Sequence, residues 1–301
     1  MDLRQIEYTV AIVDHGGFTR AAAALHVAQP SLSQSVRRLE AELGAPLFVR
    51  LGRQVRPSAA GLDFLGPARR VLREVVRARE AVTAHAALSV GTLDVVALPT
   101  LVAEPLAGLI GRFRHAHPYV TVRVHEPDTP RRLLDMVRDG RCEVGVTEMG
   151  HVPDGLHQHV IGRQVFLAVL PPGRPGSAEP LSLPDLAREA LIVTPLGTST
   201  RSVIDDALRQ AGAEAEVAVE TTQRDAIVPL VLAGAGSSIL PEPLAREAER
   251  RGAVVRALSP EVTRSIGLVH PDDDLSPAAR AFVALAVALA VDTAAVDTGA
   301  Q

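Results

Sequence analysis

Lysine is absent from this 301-residue sequence, so all 31 basic residues outside histidine are arginine. There is one cysteine, Cys142. A single cysteine excludes an intrachain disulfide, and a thiol sensor would lack a second cysteine to resolve a sulfenic acid. Between Arg141 and Glu143, at the start of an apolar run, the residue reads as core filling. No apolar run approaches the ~20 residues of a membrane-spanning helix. The start, MDLRQIEYTV, lacks the basic flank and apolar core of a signal peptide. The expected location is therefore the cytoplasm, away from membranes. There is no GxSxG, no Walker motif and no dinucleotide fingerprint. His115-x-His117 and His157-x-His159 lack matching cysteines or acids at ligand spacing. No catalytic residues, metal or cofactor are therefore expected.

The chain is 47% hydrophobic and 22% charged, which suits a soluble protein with a sizeable core and, at this length, two domains. Its formal net charge of −4 is unevenly spread. Residues 1–58 hold seven arginines against five acids, and residues 59–88 hold five against three. A mildly basic front on an acidic body is the charge pattern of a nucleic-acid-binding head.

Leu3, Ile6, Val10 and Val13 recur at helical spacing until Gly16-Gly17 ends the run. Thr19 reads as the N-cap of a short helix through Ala21, Ala22 and Leu25. HVAQ turns the chain, and Pro30 suits the first turn of a further helix ending near Gly44. That helix has an inward stripe of Leu32, Val36, Leu39 and Leu43. Its outward stripe is Pro30, Ser33, Gln34 and Arg37. Arg50, Arg53 and Arg56 follow around Gly52, which marks a hairpin tip. Residues 59–87 read as one long amphipathic helix through Leu65, Ala68, Leu72, Val75, Val82 and Ala86, with Pro67 as a kink or restart. Beyond residue 89, strand-like and helix-like runs alternate, which predicts a mostly parallel α/β sheet. PPGRPGSAEP at 171–180 reads as a surface loop, and Asp272-Asp273-Asp274 as a solvated turn.

Two short helices with a tight turn, the second carrying one apolar and one polar face, form a helix-turn-helix. The second can lie in a major groove, where Gln suits adenine and Arg suits guanine. Gln29, Ser33, Gln34 and Arg37 supply the base-facing groups. Ser31, near the helix start, can join backbone amides at a phosphate. The hairpin arginines would face the sugar-phosphate backbone or a minor groove. From pattern alone, a solvated helix and a solvated charge run stay open as alternatives.

The stretch Gly16–Gly61, with FTRAAAALHVAQPSLSQ, RRLEAELG, LFVR and the late AAG, closely resembles the N-terminal signature of LysR-type transcription regulators. A looser likeness continues through GRCEVGV at 140–146 and AGAGSSILPEPLA at 233–245. The resemblance implies a winged helix-turn-helix over residues 1–58 and a linker helix, the dimerisation element, over 59–88. It implies a two-lobed α/β effector domain like periplasmic solute-binding proteins over 89–301. Lobe I would comprise 89–160 and 266–301, and lobe II 161–265, with the effector between them. Positions matching family effector contacts are Pro99, Thr100, Leu101, Asp128, Thr129, Thr147, Thr198, Ser199, Thr200, Arg201, Thr221 and Thr222. Strand ends and helix starts in such a cleft favour a small anion. Hydroxyls at helix starts are equally ordinary N-caps. Arg201 is either the partner of an effector carboxylate or a structural ion-pair residue. Expected partners are double-stranded DNA with a roughly palindromic site, further copies of the chain as dimers pairing into tetramers, and RNA polymerase. An enzyme with a DNA-binding head would need a nucleophile, base or metal set that the sequence does not assemble.

Overall fold

The computed structural model describes residues 1–51, 54–83, 91–174, 179–272 and 275–298. The chain opens with α1 (Leu3–Asp14), started by a capping box in which Asp2 and Gln5 each accept the other's backbone N–H at 2.8 Å. The turn out of α1 runs through Gly16 and Gly17 at φ +67° and +141°, conformations that disfavour any side chain. Gly17, not Thr19, is the N-cap of α2 (Phe18–Ala24). Thr19 lies inside the first turn because Gly17 has already turned the chain. Next comes α3 (Gln29–Leu43), with Pro30 in its first turn and a left-handed Gly44 closing it. Leu32 and Val36 are buried against α1 and α2 and Leu39 is fully buried, whereas Leu43 is exposed in the last turn.

The antiparallel hairpin β1 (Phe48–Leu51) and β2 (Gln54–Pro57) forms the wing. It is anchored by Phe48, whose ring meets Phe18 edge-on at 5.5 Å. The chain then enters α4 (Ala59–Thr83), which carries Pro67 within it. A Cβ on Gly61 would collide with the Leu47 carbonyl, so this close approach of helix to wing requires glycine. Leu65 and Ala68 pack against Ile6 and Val10 of α1, and Arg69 binds Asp14 through both carboxylate oxygens. Leu65, Ala68 and the partly buried Leu72, half of the six positions expected to face a second copy, are thus covered from within the chain. The Val82 side chain and Ala86 lie outside the described residues, as do 175–178 of the expected surface loop and Asp273-Asp274.

Lobe I begins with β3 (Gly91–Ala97), then α5 (Pro99–Leu101), which runs through a π-turn into α6 (Ala107–Ala116). It continues through β4 (Val120–His125), α7 (Pro130–Arg138) and β5 (Val144–Glu148). These strands are parallel, in the order β4-β3-β5. The 15-residue β6 (Leu156–Leu170) then carries the chain onward. Lobe II comprises β7 (Leu181–Ser182), α8 (Leu183–Leu186), β8 (Leu191–Val193), α9 (Ser199–Gln210) and β9 (Val217–Glu220). It is completed by α10 (Ile227–Leu232), β10 (Ser238–Pro241), α11 (Glu242–Arg250), β11 (Val254–Arg256) and β12 (Leu258–Ser259). The return strand β13 (Val262–Pro271) leads to α12 (Pro277–Thr298).

The expected mostly parallel sheet is corrected to a mixed one. Its path is β10-β6-β13-β5-β3-β4, with β11 also on β6, and β6 and β13 pair antiparallel with each other and with each of their neighbours. The parallel βαβ units lie within the lobes. The strands that carry the chain out and back must run in opposite directions. Along β6, Phe166, Ala168 and Leu170 enter one core of lobe II while Leu167 and Val169 enter another, the two-residue period of a strand covered on both faces. Lobe I has its own core, where Phe113 meets Phe282 of α12 edge-on at 5.4 Å and which includes Cys142.

Candidate functional site

The expected site residues fall on two surfaces. On α3, Gln29, Pro30, Ser31, Gln34 and Arg37 are exposed along one side. Ser33 is only 9% exposed, and its hydroxyl accepts a hydrogen bond from Arg37 Nη2 at 3.2 Å. It is therefore corrected from a base-facing residue to one that orients Arg37. Arg56 is exposed on β2. The side chain of Arg50 and all of Arg53 lie outside the described residues.

The second surface is the junction where the start of α5, the residue before α7's cap and the end of β5 from lobe I meet the start of α9, Arg264 and Arg224, the place where the expected cleft would open. Thr129 caps α7, its hydroxyl accepting from the Arg132 N–H at 3.3 Å. Thr198 precedes α9, but its hydroxyl pairs with Thr194 Oγ1 at 2.7 Å and donates to the Pro195 carbonyl at 2.8 Å. Ser199 and Thr200 are buried in the first turn of α9. Thr147 is buried at the end of β5, and its hydroxyl has no partner among the described residues. Pro99 and Thr100 open α5, both partly exposed, whereas Leu101 is fully buried in the lobe I core and lines nothing. Thr221 accepts from the Gln223 N–H at 3.1 Å, and Thr222 is exposed beside it. Asp128 lies 3.5 Å from Arg224 Nη1, an ion pair that bridges the lobes.

Arg201 takes the structural of its two readings. Its Nε–H faces both oxygens of Asp205 at 2.8 and 2.9 Å, and its Nη1 reaches the Thr194 carbonyl and Glu220. The arginine at the floor of the cleft is Arg264, 7% exposed, on β13. Its Nε donates to Gln164 Oε1 at 2.9 Å and its Nη2 to Thr100 Oγ1 at 2.6 Å. Its Nη1 reaches Ser199 Oγ and, at 3.4 Å, Glu148 Oε2, which also accepts from the Ser199 hydroxyl. Its guanidinium carbon stands 5.4 Å from the centre of the Phe166 ring. Burial pulls the Arg264 pKa down, and Glu148 opposes that shift. Sequence reading passed over Arg264, Glu148 and Gln164. The available signal was Arg264 between Val262 and Ile266, an arginine on the inward face of a two-residue alternation.

Cys142 is 1% exposed, and burial, with a contribution from Asp94, pushes its thiol up to about 12. Among the described residues no helix is long and apolar enough to cross a membrane.

Residues 3–62 match the family described as bacterial regulatory helix-turn-helix protein, lysR family, and residues 86–290 match the LysR substrate binding domain. The hydrogen peroxide-inducible genes activator of Pectobacterium carotovorum subsp. carotovorum is 31% identical over 273 residues, 90% of each chain. A full-length OxyR variant from Pseudomonas aeruginosa superposes with a TM-score of 0.76 at 24% identity, covering 96% of this chain and 94% of that one. Full-length CbnR in complex with its target DNA superposes with a TM-score of 0.67 at 26% identity, covering 95% and 99%. With its helix-turn-helix head and two-lobed effector-binding domain, this chain belongs to the LysR family of DNA-binding transcriptional regulators.

Proposed function

We propose that the cleft between the lobes binds a small, anionic metabolite reversibly and unchanged, and that binding resets how the heads engage DNA. The observation that carries this reading is the hydrogen-bonded set of Thr100, Glu148, Ser199 and Arg264. It draws on both lobes and on the strand between them. A ligand there meets each lobe, so its affinity depends on their arrangement, the condition for shifting a conformational equilibrium. The protein acts in the cytoplasm as a dimer joined through α4, with dimers paired further into tetramers, on a roughly palindromic DNA site, and it touches RNA polymerase there.

A relative's name points to peroxide as the signal. Here Cys142 argues for a metabolite instead. It is the sequence's only cysteine, it is buried in the lobe I core, and its raised pKa keeps it a protonated, poorly nucleophilic thiol at neutral pH.

A thermal-shift screen of small carboxylates and other anions, followed by DNA-binding titrations with each hit, tests the reading. A hit should raise the melting temperature, change DNA affinity and be recovered chemically intact. Thr100→Val, which removes an acceptor facing Arg264, should weaken the hit while leaving DNA binding in its absence unchanged. Hits that act equally on Thr100→Val, or that are consumed, would overturn it.

A further inference from the structure

The effector cleft already contains a carboxylate, and that carboxylate belongs to the protein. Glu148 ends β5 in lobe I, and its Oε2 accepts the hydroxyl proton of Ser199 in the first turn of α9 in lobe II. The Arg264 guanidinium lies on the same oxygen and the same hydroxyl. A serine hydroxyl, a guanidinium and the start of a 12-residue helix are the groups that recognise a carboxylate. Here they form a built site, since the side chain of Arg264 is 5% exposed and Ser199 is buried.

The fit of Glu148 is incomplete. Its oxygen stands 3.4 Å from Arg264 Nη1, whereas charge-assisted N–H···O bonds settle near ~2.7–2.9 Å. Its carboxylate is tethered through its own side chain to the end of β5. A free carboxylate has no such tether. The Glu148 side chain is also 28% exposed, so it can leave toward solvent without crossing the core. Arg264 by contrast is fixed on the opposite side by Gln164 and Thr100.

We infer that Glu148 is a built-in competitor, seated on Ser199 and Arg264 where the carboxylate of a small organic acid effector binds. This rests on reading the cleft as the effector site and adds to it the class of ligand and the contact that the ligand replaces. Leaving Ser199, Glu148 breaks a direct bond between the lobes. The incoming acid keeps the Arg264 charge neutralised, so the exchange changes lobe contacts at little electrostatic cost.

Removing the competitor should open the seat to a generic carboxylate, and acetate is the probe. Full-length Glu148→Ala should melt below the parent, and acetate at constant ionic strength should raise its melting temperature saturably, whereas chloride should not. The parent should show no saturable rise. Adding Ser199→Ala to Glu148→Ala should abolish the acetate response. If Glu148→Ala fails to fold, Glu148→Ser, whose short polar side chain also vacates the seat, gives the same readout. An acetate response absent from the folded Glu148 variant, or equal in the parent, overturns the inference. The cleft itself could still be the effector site in that case, because metabolite hits sensitive to Thr100→Val would persist.

Discussion

At the residue scale, the base-reading face of α3 narrows to side chains that are free to reach outward. Arg37→Ala should cost about 1–3 kcal/mol of DNA binding and relax the preference at one base position. Ser33→Ala should produce a smaller loss at the same position, because Ser33 acts through its bond to Arg37. Binding-site selection on the parent and both variants checks this; a change at a different base would assign Ser33 a contact of its own. A second expectation concerns His159, whose Nε2 faces His270 Nε2 at 2.9 Å. His270 Nδ1 is engaged by the Pro271 carbonyl at 2.7 Å, which assigns the proton of a neutral His270 to that nitrogen and makes His159 the donor. Burial, then the charges of His270 and His157, hold the His159 pKa below its ordinary 6.5. A depressed folded-state pKa gives stability that is present above 6.5 and is lost as the pH falls toward the folded value. The melting temperature should therefore drop on acidification from neutral pH, and His159→Gln should make that drop shallower. An unchanged pH profile in His159→Gln would show that the pair does not contribute. The outward stripe of α3 was legible because helical period alone separates its faces. Ser33 was misplaced because it lies at the edge of the apolar stripe, where period does not decide burial. Arg201 drew attention as a charge at a helix start; its i,i+4 partner Asp205 was within reach of helical spacing, whereas Glu220 becomes visible only once α9 and β9 are packed together.

At the element scale, only part of the apolar stripe of α4 is covered from within the chain. Leu65 and Ala68 are buried on α1, while Val76, further along the helix, is 51% exposed. The two halves should separate by mutation. Leu65→Ala should cost about 2–5 kcal/mol of stability through a core cavity and leave assembly unchanged. Val76→Glu should leave the fold intact and reduce the oligomer, since a charge on an exposed helix position costs little until a partner must bury it. Light scattering with thermal melts distinguishes them, and a Val76→Glu protein of unchanged mass would move the interface off this stripe. Elements with strong periodicity, such as α1, α3 and α4, could be read from the sequence. The first half of β6 could not. Residues 156–164, LHQHVIGRQ, carry histidine and glutamine at strand positions, and their order comes from pairing with β13 rather than from a buried apolar face. Likewise α11 buries mainly Ala245 and Ala248, residues too small to stand out as a stripe.

At the scale of the whole molecule, two strands join the lobes, one helix joins the lobes to the head, and the charge falls in the same order from basic to acidic. The parallel βαβ units of each lobe were readable from alternating runs, but the antiparallel weld of β6 to β13 was not, because direction is set by the return of the chain and not by residue type. A head with one recognition helix and one wing covers one half-site. On the proposed assembly through α4, the second contact becomes an intramolecular one, which can raise affinity by ~10²–10⁴ if the geometry allows both to bind. DNA selected by the full-length protein from a random pool should therefore contain two inverted half-sites, separated centre to centre by about 10–10.5 base pairs or a multiple of that. Scrambling one half-site should weaken the parent strongly. The same change should make little difference to Val76→Glu, which engages half-sites one at a time. Selected sites with a single unrepeated half-site, or a parent indifferent to loss of one half, would show that the heads bind independently and that α4 does not couple them.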